Sequence, residues 1–284
     1  MFYFKRRKTM FVSIEEKKIA HRLVENFLKH SEKLPYVNIG KNNEYLGWVK
    51  DFNLRDSEGR KIFLDLAKED DLFLLFVLVL GWSRTGPWEN AVNLVSYLKI
   101  NGKDKPSYWL EESNYLSEIN LRQQSAELIY SQLQYEIEPR YKISFRKDTF
   151  RSIHVLATKW DAIINKLEIS KLRSDYTIFM TYLRSVRGLG KLPNEKILKK
   201  IPLILRELRC QRIFKNIPGE LCCVADRRVL GAAQSLGIQL VNPSNLSNLI
   251  ECSTKIYKLM GDLYDLPLFA YKDLGLKMSG HLIR

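Results

Sequence analysis

The sequence predicts an all-α fold, on three observations. Turn signals cut the chain mainly into helix-length pieces, apolar residues recur at helical spacing within those pieces, and capping residues stand where several of them begin. At 284 residues with 45% hydrophobic side chains there is material for one large or two small domains around a real core. The expected division is an irregular and helical extension over 1–70, packed on a helical core over 71–284.

The elements follow in order. Ser13 and Glu16 stand in capping-box positions for a helix over 14–30, whose apolar positions are Ile14, Ala20, Leu23, Val24, Phe27 and Leu28. Residues 34–67 are less regular, with a short hairpin expected around Asp56-Ser57-Glu58-Gly59. The longest apolar run, 72–80, is far short of the roughly 20 residues that span a bilayer, so it predicts a buried core helix. Helices are expected over 72–82 and 88–98, separated by Thr85-Gly86-Pro87. Further ones are expected near 112–133, 148–167, 176–187, 193–209, 226–236, 245–263 and 266–276. Asp226 and Asn245 serve as N-caps in this reading, and Gly237 as a C-terminal stop.

Several function classes lose support at once. Cys210, Cys222, Cys223 and Cys252 form no C-x-x-C pair, so they are expected as small buried residues rather than metal ligands. His21, His30, His154 and His281 lack H-x-x-x-H spacing. No metal or cofactor is expected. The opening Met1-Phe-Tyr-Phe-Lys-Arg-Arg-Lys lacks the long apolar region of a signal peptide, which predicts a cytoplasmic, nucleoid-associated protein rather than an exported one.

The net charge is +14, and its position is informative. Residues 140–228 hold 21 Lys and Arg against 8 Asp and Glu, an excess of 13. So concentrated an excess marks a polyanion partner, nucleic acid before an anionic membrane. Within this region 176–186 is an apolar-periodic helix, Arg187-Gly188-Leu189-Gly190-Lys191 is a glycine-punctuated turn, and Pro193 suits a first helical turn. The pattern is helix, hairpin, helix, over about 176–206. Gly188 and Gly190 let backbone amides approach a phosphate, and Arg187 and Lys191 add charge. An ordinary turn between packed helices is the alternative.

Lys196 follows in the first turn after the hairpin, with Lys199 and Lys200 at i+3 and i+4. A nucleophilic amine must be neutral, and neighbouring cations and a helix N-terminus both disfavour its charged form. Three solvated lysines on one face are the alternative. Asp226 ends the apolar stretch that begins at Ile217-Pro218-Gly219 and starts a helix, where a carboxylate can meet a developing positive charge; simple capping is the alternative. Arg184, Arg187, Arg227 and Arg228 are candidate phosphate contacts, or a solvated helix face. Trp82, Trp88, Trp109 and Trp160 are candidates for base stacking, or core.

From about residue 72 to 276 these residues resemble the archaeal 8-oxoguanine DNA glycosylase/AP lyases of the helix-hairpin-helix glycosylase superfamily. The likeness lies in Ile-Pro…Val-Ala-Asp226-Arg-Arg-Val, in Asn194-Glu195-Lys196 with Ile201-Pro202-Leu203-Ile204-Leu205, in Thr85-Gly86-Pro87-Trp88-Glu89, and in Leu266-Pro267-Leu268. The resemblance implies two helical subdomains with a DNA-binding cleft between them and a target nucleotide extruded from the duplex. It implies Lys196 as the Schiff-base nucleophile, Asp226 as its partner and Trp88 in the base pocket. On charge alone, and not from the resemblance, Lys199 and Lys200 would help keep the amine neutral. On charge and on amide approach at the glycines, Arg187, Gly188, Gly190, Lys191, Arg227 and Arg228 would hold the DNA backbone. The expected partner is double-stranded DNA carrying a damaged base, bound by a monomer without a membrane. Lys200 stands where that family has an aromatic pocket residue. A different damaged base and a DNA-binding protein without catalysis therefore stay open beside 8-oxoguanine.

Overall fold

The capping box predicted at the start of the chain is formed. Glu16 N donates to Ser13 Oγ at 3.1 Å and Ser13 N donates to Glu16 Oε2 at 3.0 Å, satisfying two amides that a bare helix end leaves open. It opens α1, Ile14–His30. The structure is a computed structural model that describes residues 11–34, 37–47, 54–55, 61–84, 88–114, 147–189, 200–214 and 216–275. Among these the fold is all-helical but for one small pair of strands. Eleven α-helices are present among the described residues. After α1 come α2 (Glu69–Arg84), α3 (Trp88–Ile100), α4 (Pro106–Leu110), α5 (Lys147–Thr158), α6 (Trp160–Arg173) and α7 (Thr177–Ser185). The last four are α8 (Ile201–Cys210), α9 (Arg227–Ser235), α10 (Leu246–Met260) and α11 (Leu266–Ala270). The hairpin expected around residues 56–59 is present as β1 (Leu54–Arg55) antiparallel to β2 (Lys61–Ile62), with Leu54 opposite Ile62.

The chain forms two compact units, Met1–Leu46 with Pro218–Arg284, and Gly47–Ile217. This division differs from a boundary near residue 70, because α1 packs on α10 and α11 near the other end of the chain. Ala20, Leu23 and Phe27 are buried there, whereas Ile14 is 75% exposed. The apolar stripe expected over 14–28 therefore begins later. Nine residues are two and a half helical turns, so Ile14 lies on the face opposite Leu23. Glu16 also anchors this unit: its Oε1 accepts from Lys255 Nζ at 2.7 Å and from Gln239 N at 3.1 Å. Burial pushes the Glu16 carboxyl up, but Lys255 and the two backbone amides outweigh it and hold it below the usual carboxylate range.

In the second unit the apolar run 72–80 is buried along its whole length, as a core helix. The α2 and α3 helices pack closely, with a Cβ at Gly81 falling 3.5 Å from Ala91 Cβ. The single helix expected over 148–167 is instead two, α5 and α6, interrupted at Lys159. No glycine or proline signals the break, whose reason lies in tertiary packing. Trp160 meets Phe73 and Phe76 edge-on, with ring centroids 5.2 and 5.3 Å away, and its Nε1 donates to Glu69 Oε1 at 2.7 Å. Trp160 and Trp109 are thus core residues. Of the helix expected over 112–133, only its first three residues are described, and the helix expected over 266–276 ends at Ala270.

Candidate nucleic-acid interface

The first helix of the hairpin is α7. Its amphipathic pattern buries Phe179, Met180 and Leu183 and leaves Arg184 on the exposed face. Its start is tied down by Phe179 N donating to Ser170 Oγ at 3.1 Å and by Tyr176 Oη donating to Asn216 Oδ1 at 2.6 Å. The helix stops at Ser185, and Leu189 N donates back to Val186 O at 3.1 Å to close a turn. Gly188 sits at φ +91°, where a side chain would be strained, and a Cβ there would lie 3.4 Å from Val155 Cγ2. Leu189 is buried as an anchor, while Arg187 is exposed beside it. Gly190, Lys191, Lys196 and Lys199 lie outside the described residues, as do Thr85-Gly86-Pro87. Trp88 opens α3.

Lys200 is described, and it is not a solvated lysine. Only 9% exposed, it places Nζ 3.7 Å from the centroid of the Trp82 ring, a cation–π contact. Trp82 thus lies under a lysine in the last turn of α2 rather than in the apolar core.

Asp226 caps α9 as its position in the sequence predicts. Its Oδ1 accepts from Arg228 N at 3.0 Å and from Val229 N at 3.1 Å, and the residue is partly exposed. The segment that leads to it is buried from Leu221 to Ala225, with Leu221 N donating to Pro218 O at 3.1 Å and Cys222 N to Gly219 O at 3.0 Å. Side chains take the next two amides. Cys223 N donates to Ser253 Oγ at 2.9 Å and Val224 N donates to Asp265 Oδ1 at 2.8 Å. Gly219, at the start of this stretch, lies against the Tyr257 ring, which a Cβ would approach to 2.2 Å. Only glycine fits there without moving the ring.

Ser253, Tyr257 and Asp265 were not singled out by sequence reasoning, since each is remote from the segment it fixes. The one usable signal is the apolar stretch before Asp226, whose amides need partners once it is buried.

The two arginines after Asp226 differ. Arg227 is exposed, whereas Arg228 is ion-paired to Asp273, with its guanidinium 4.2 Å from the Phe269 ring centroid. A phosphate reaching Arg228 would have to share it with Asp273. Cys222, Cys223 and Cys252 are buried, none of the four cysteines is in a disulfide, and Cys222 Sγ donates to Pro218 O at 3.4 Å and Cys252 Sγ to Val241 O at 2.7 Å. No helix among the described residues is long and apolar enough to cross a membrane.

No family model, curated protein or solved structure matches this chain. The described residues bring an exposed arginine to a glycine turn, a buried lysine onto an indole, and a carboxylate to a helix start.

Proposed function

We propose that this protein has the helix-hairpin-helix glycosylase fold and is a DNA N-glycosylase with AP lyase activity. Its substrate is double-stranded DNA carrying an oxidised purine, 8-oxoguanine before others. The observation that supports this reading most is the setting of Asp226, a partly exposed carboxylate at the end of a buried segment pinned by Ser253 and Asp265. A carboxylate fixed in this way needs little reorganisation to stabilise positive charge developing on a sugar.

In this mechanism the Lys196 amine bonds to C1′ of the extruded nucleotide as the C1′–N bond to the base breaks. The base leaves with the bonding electron pair and takes up a proton. The amine gives up one proton, the C1′–O4′ bond breaks as O4′ takes up a proton, and a protonated Schiff base remains. Removal of a proton from C2′ then expels the 3′ phosphate, and water releases the lysine. Asp226 faces the cationic sugar and relays protons. Gly188, Gly190, Arg187, Lys191 and Arg227 hold the DNA backbone without reading sequence.

Borohydride trapping tests the lyase step. Wild-type protein should form a covalent complex with a duplex containing 8-oxoguanine, and Lys196→Gln should form none. Equal complexes from both proteins, or no complex on any duplex of a panel of damaged and abasic sites, would end the reading. A second reading, a duplex-binding protein without catalysis, is favoured by Lys200 lying against Trp82 where the resemblance calls for an aromatic side chain. It requires that Lys196→Gln leave salt-sensitive DNA binding unchanged and that no base be released from the panel.

A further inference from the structure

The first helix of the hairpin borders a groove of about 590 Å³, shared with the end of α5. Its lining sorts by chemistry. Val155, Val186 and the Tyr182 ring supply apolar surface, Lys159 and Arg187 supply cations, and no carboxylate lines it among the described residues. Both cations are exposed. The hydroxyls beside them already have acceptors, Thr158 Oγ1 donating to His154 O at 2.8 Å and Ser185 Oγ donating to Tyr182 O at 2.7 Å. Lys159 and Arg187 are the fixed cations of the lining, beside the Tyr182 hydroxyl and His154, whose Nδ1 lies 2.7 Å from Trp109 O. The groove is also coupled to the hairpin, because Val155 is the residue against which Gly188 turns.

We propose that this groove seats the sugar–phosphate backbone of duplex DNA next to the hairpin. Deoxyribose packs on Val155, Val186 and Tyr182, and phosphate oxygens meet Lys159 and Arg187. Apolar floor with cationic rim matches a ligand whose sugars are largely apolar and whose linkages each carry one negative charge. Lys159 stands one turn after Val155, its N donating to Val155 O at 3.1 Å, so cation and apolar floor come from one helix face. The inference rests on the DNA reading above, but not on any catalytic step in it.

The test uses the full chain and a fluorescein-labelled undamaged duplex, with Kd measured across a salt series. Lys159→Gln should weaken binding by about threefold at moderate salt and reduce the slope of log K against log salt by about 0.9, the value for one lost phosphate contact. Ser185→Trp, which leaves the charge unchanged and fills the groove, should weaken binding and lower the slope as well. Thr158→Trp fills it from the other helix and replaces Ser185→Trp if that variant melts early. Arg173→Gln removes an exposed cation outside this lining and should change neither quantity. Equal effects of Lys159→Gln and Arg173→Gln, or wild-type binding by the groove-filling variants, would overturn the proposal while leaving the hairpin reading intact. Failure of the wild-type protein to bind duplex at all would remove both.

Discussion

Asp226 ends a segment whose backbone amides reach side chains from far along the chain, whereas the described part of the hairpin turn shows a bond between its own residues and a close approach to Val155. The amides of Cys223 and Val224 reach Ser253 and Asp265, and Gly219 fits under Tyr257. Among the described residues the turn at Gly188 has the Leu189-to-Val186 bond, the buried Leu189 side chain and the close approach of Val155. The contrast fits the proposed roles. Under the glycosylase proposal a carboxylate that stabilises charge gains from being fixed before the reaction. A turn proposed to meet phosphates gains from a glycine at the point of approach.

The largest expected effect breaks the two regions apart. Asp226→Asn keeps an N-cap oxygen but loses the charge, so base release should fall by about a hundredfold or more while thermal stability and duplex affinity stay close to wild type. Single-turnover kinetics with a melting curve would show it. Loss of stability in step with activity would mean that Asp226 is a cap and nothing more.

Alanine at the two glycines sharpens the comparison. Gly219→Ala drives a methyl into the Tyr257 ring and should cost about 3 kcal/mol, the upper end for overpacking, while Gly188→Ala meets only its positive φ and should cost about 1 kcal/mol. Urea titrations rank them. An equal cost at both sites would show that the Asp226 segment is no more constrained than the hairpin.

The smallest effect depends on pH. The Glu16 carboxyl is held below its usual range by Lys255 and by the amides of Ser13 and Gln239, against burial. A lowered folded-state value means that its contribution is present above the unfolded-state value and is lost as pH falls through the folded one. Glu16→Gln should therefore be less stable than wild type by about 2 kcal/mol at neutral pH, with the gap closing below about pH 4. Asp70, which burial and then Asp104 push up, titrates in both proteins and cancels from the difference. A gap independent of pH would remove the ionic part of that anchor.

Much of the helical framework was legible locally. Ser13 with Glu16, Asp226 and Asn245 all cap helices, because a cap needs only its own oxygen and an amide two or three residues on. Gly237 adopts its positive φ at a helix end for the same local reason. Legibility failed where packing decided. Nothing near Lys159 signals a break, and the break is explained only by Trp160 turning onto Phe73, Phe76 and Glu69. Lys200 reads as a surface lysine, yet its ammonium lies on a tryptophan more than a hundred residues earlier. Arg228 reads as a second phosphate ligand until Asp273 is seen to hold it.

The sequence by itself determined the helical class, the starts of the capped helices, the basic stretch over 140–228 and the glycine turn after Val186. Periodicity, capping and φ preference act within a few residues, so they are written in order along the chain. Tertiary structure alone decided that α1 joins the C-terminal helices, that Ser253 and Asp265 hold the approach to Asp226, and that Lys159 and Arg187 line one groove. Those outcomes depend on partners tens to hundreds of residues apart, and which partner satisfies a buried amide or covers an apolar face is settled only when the chain has packed.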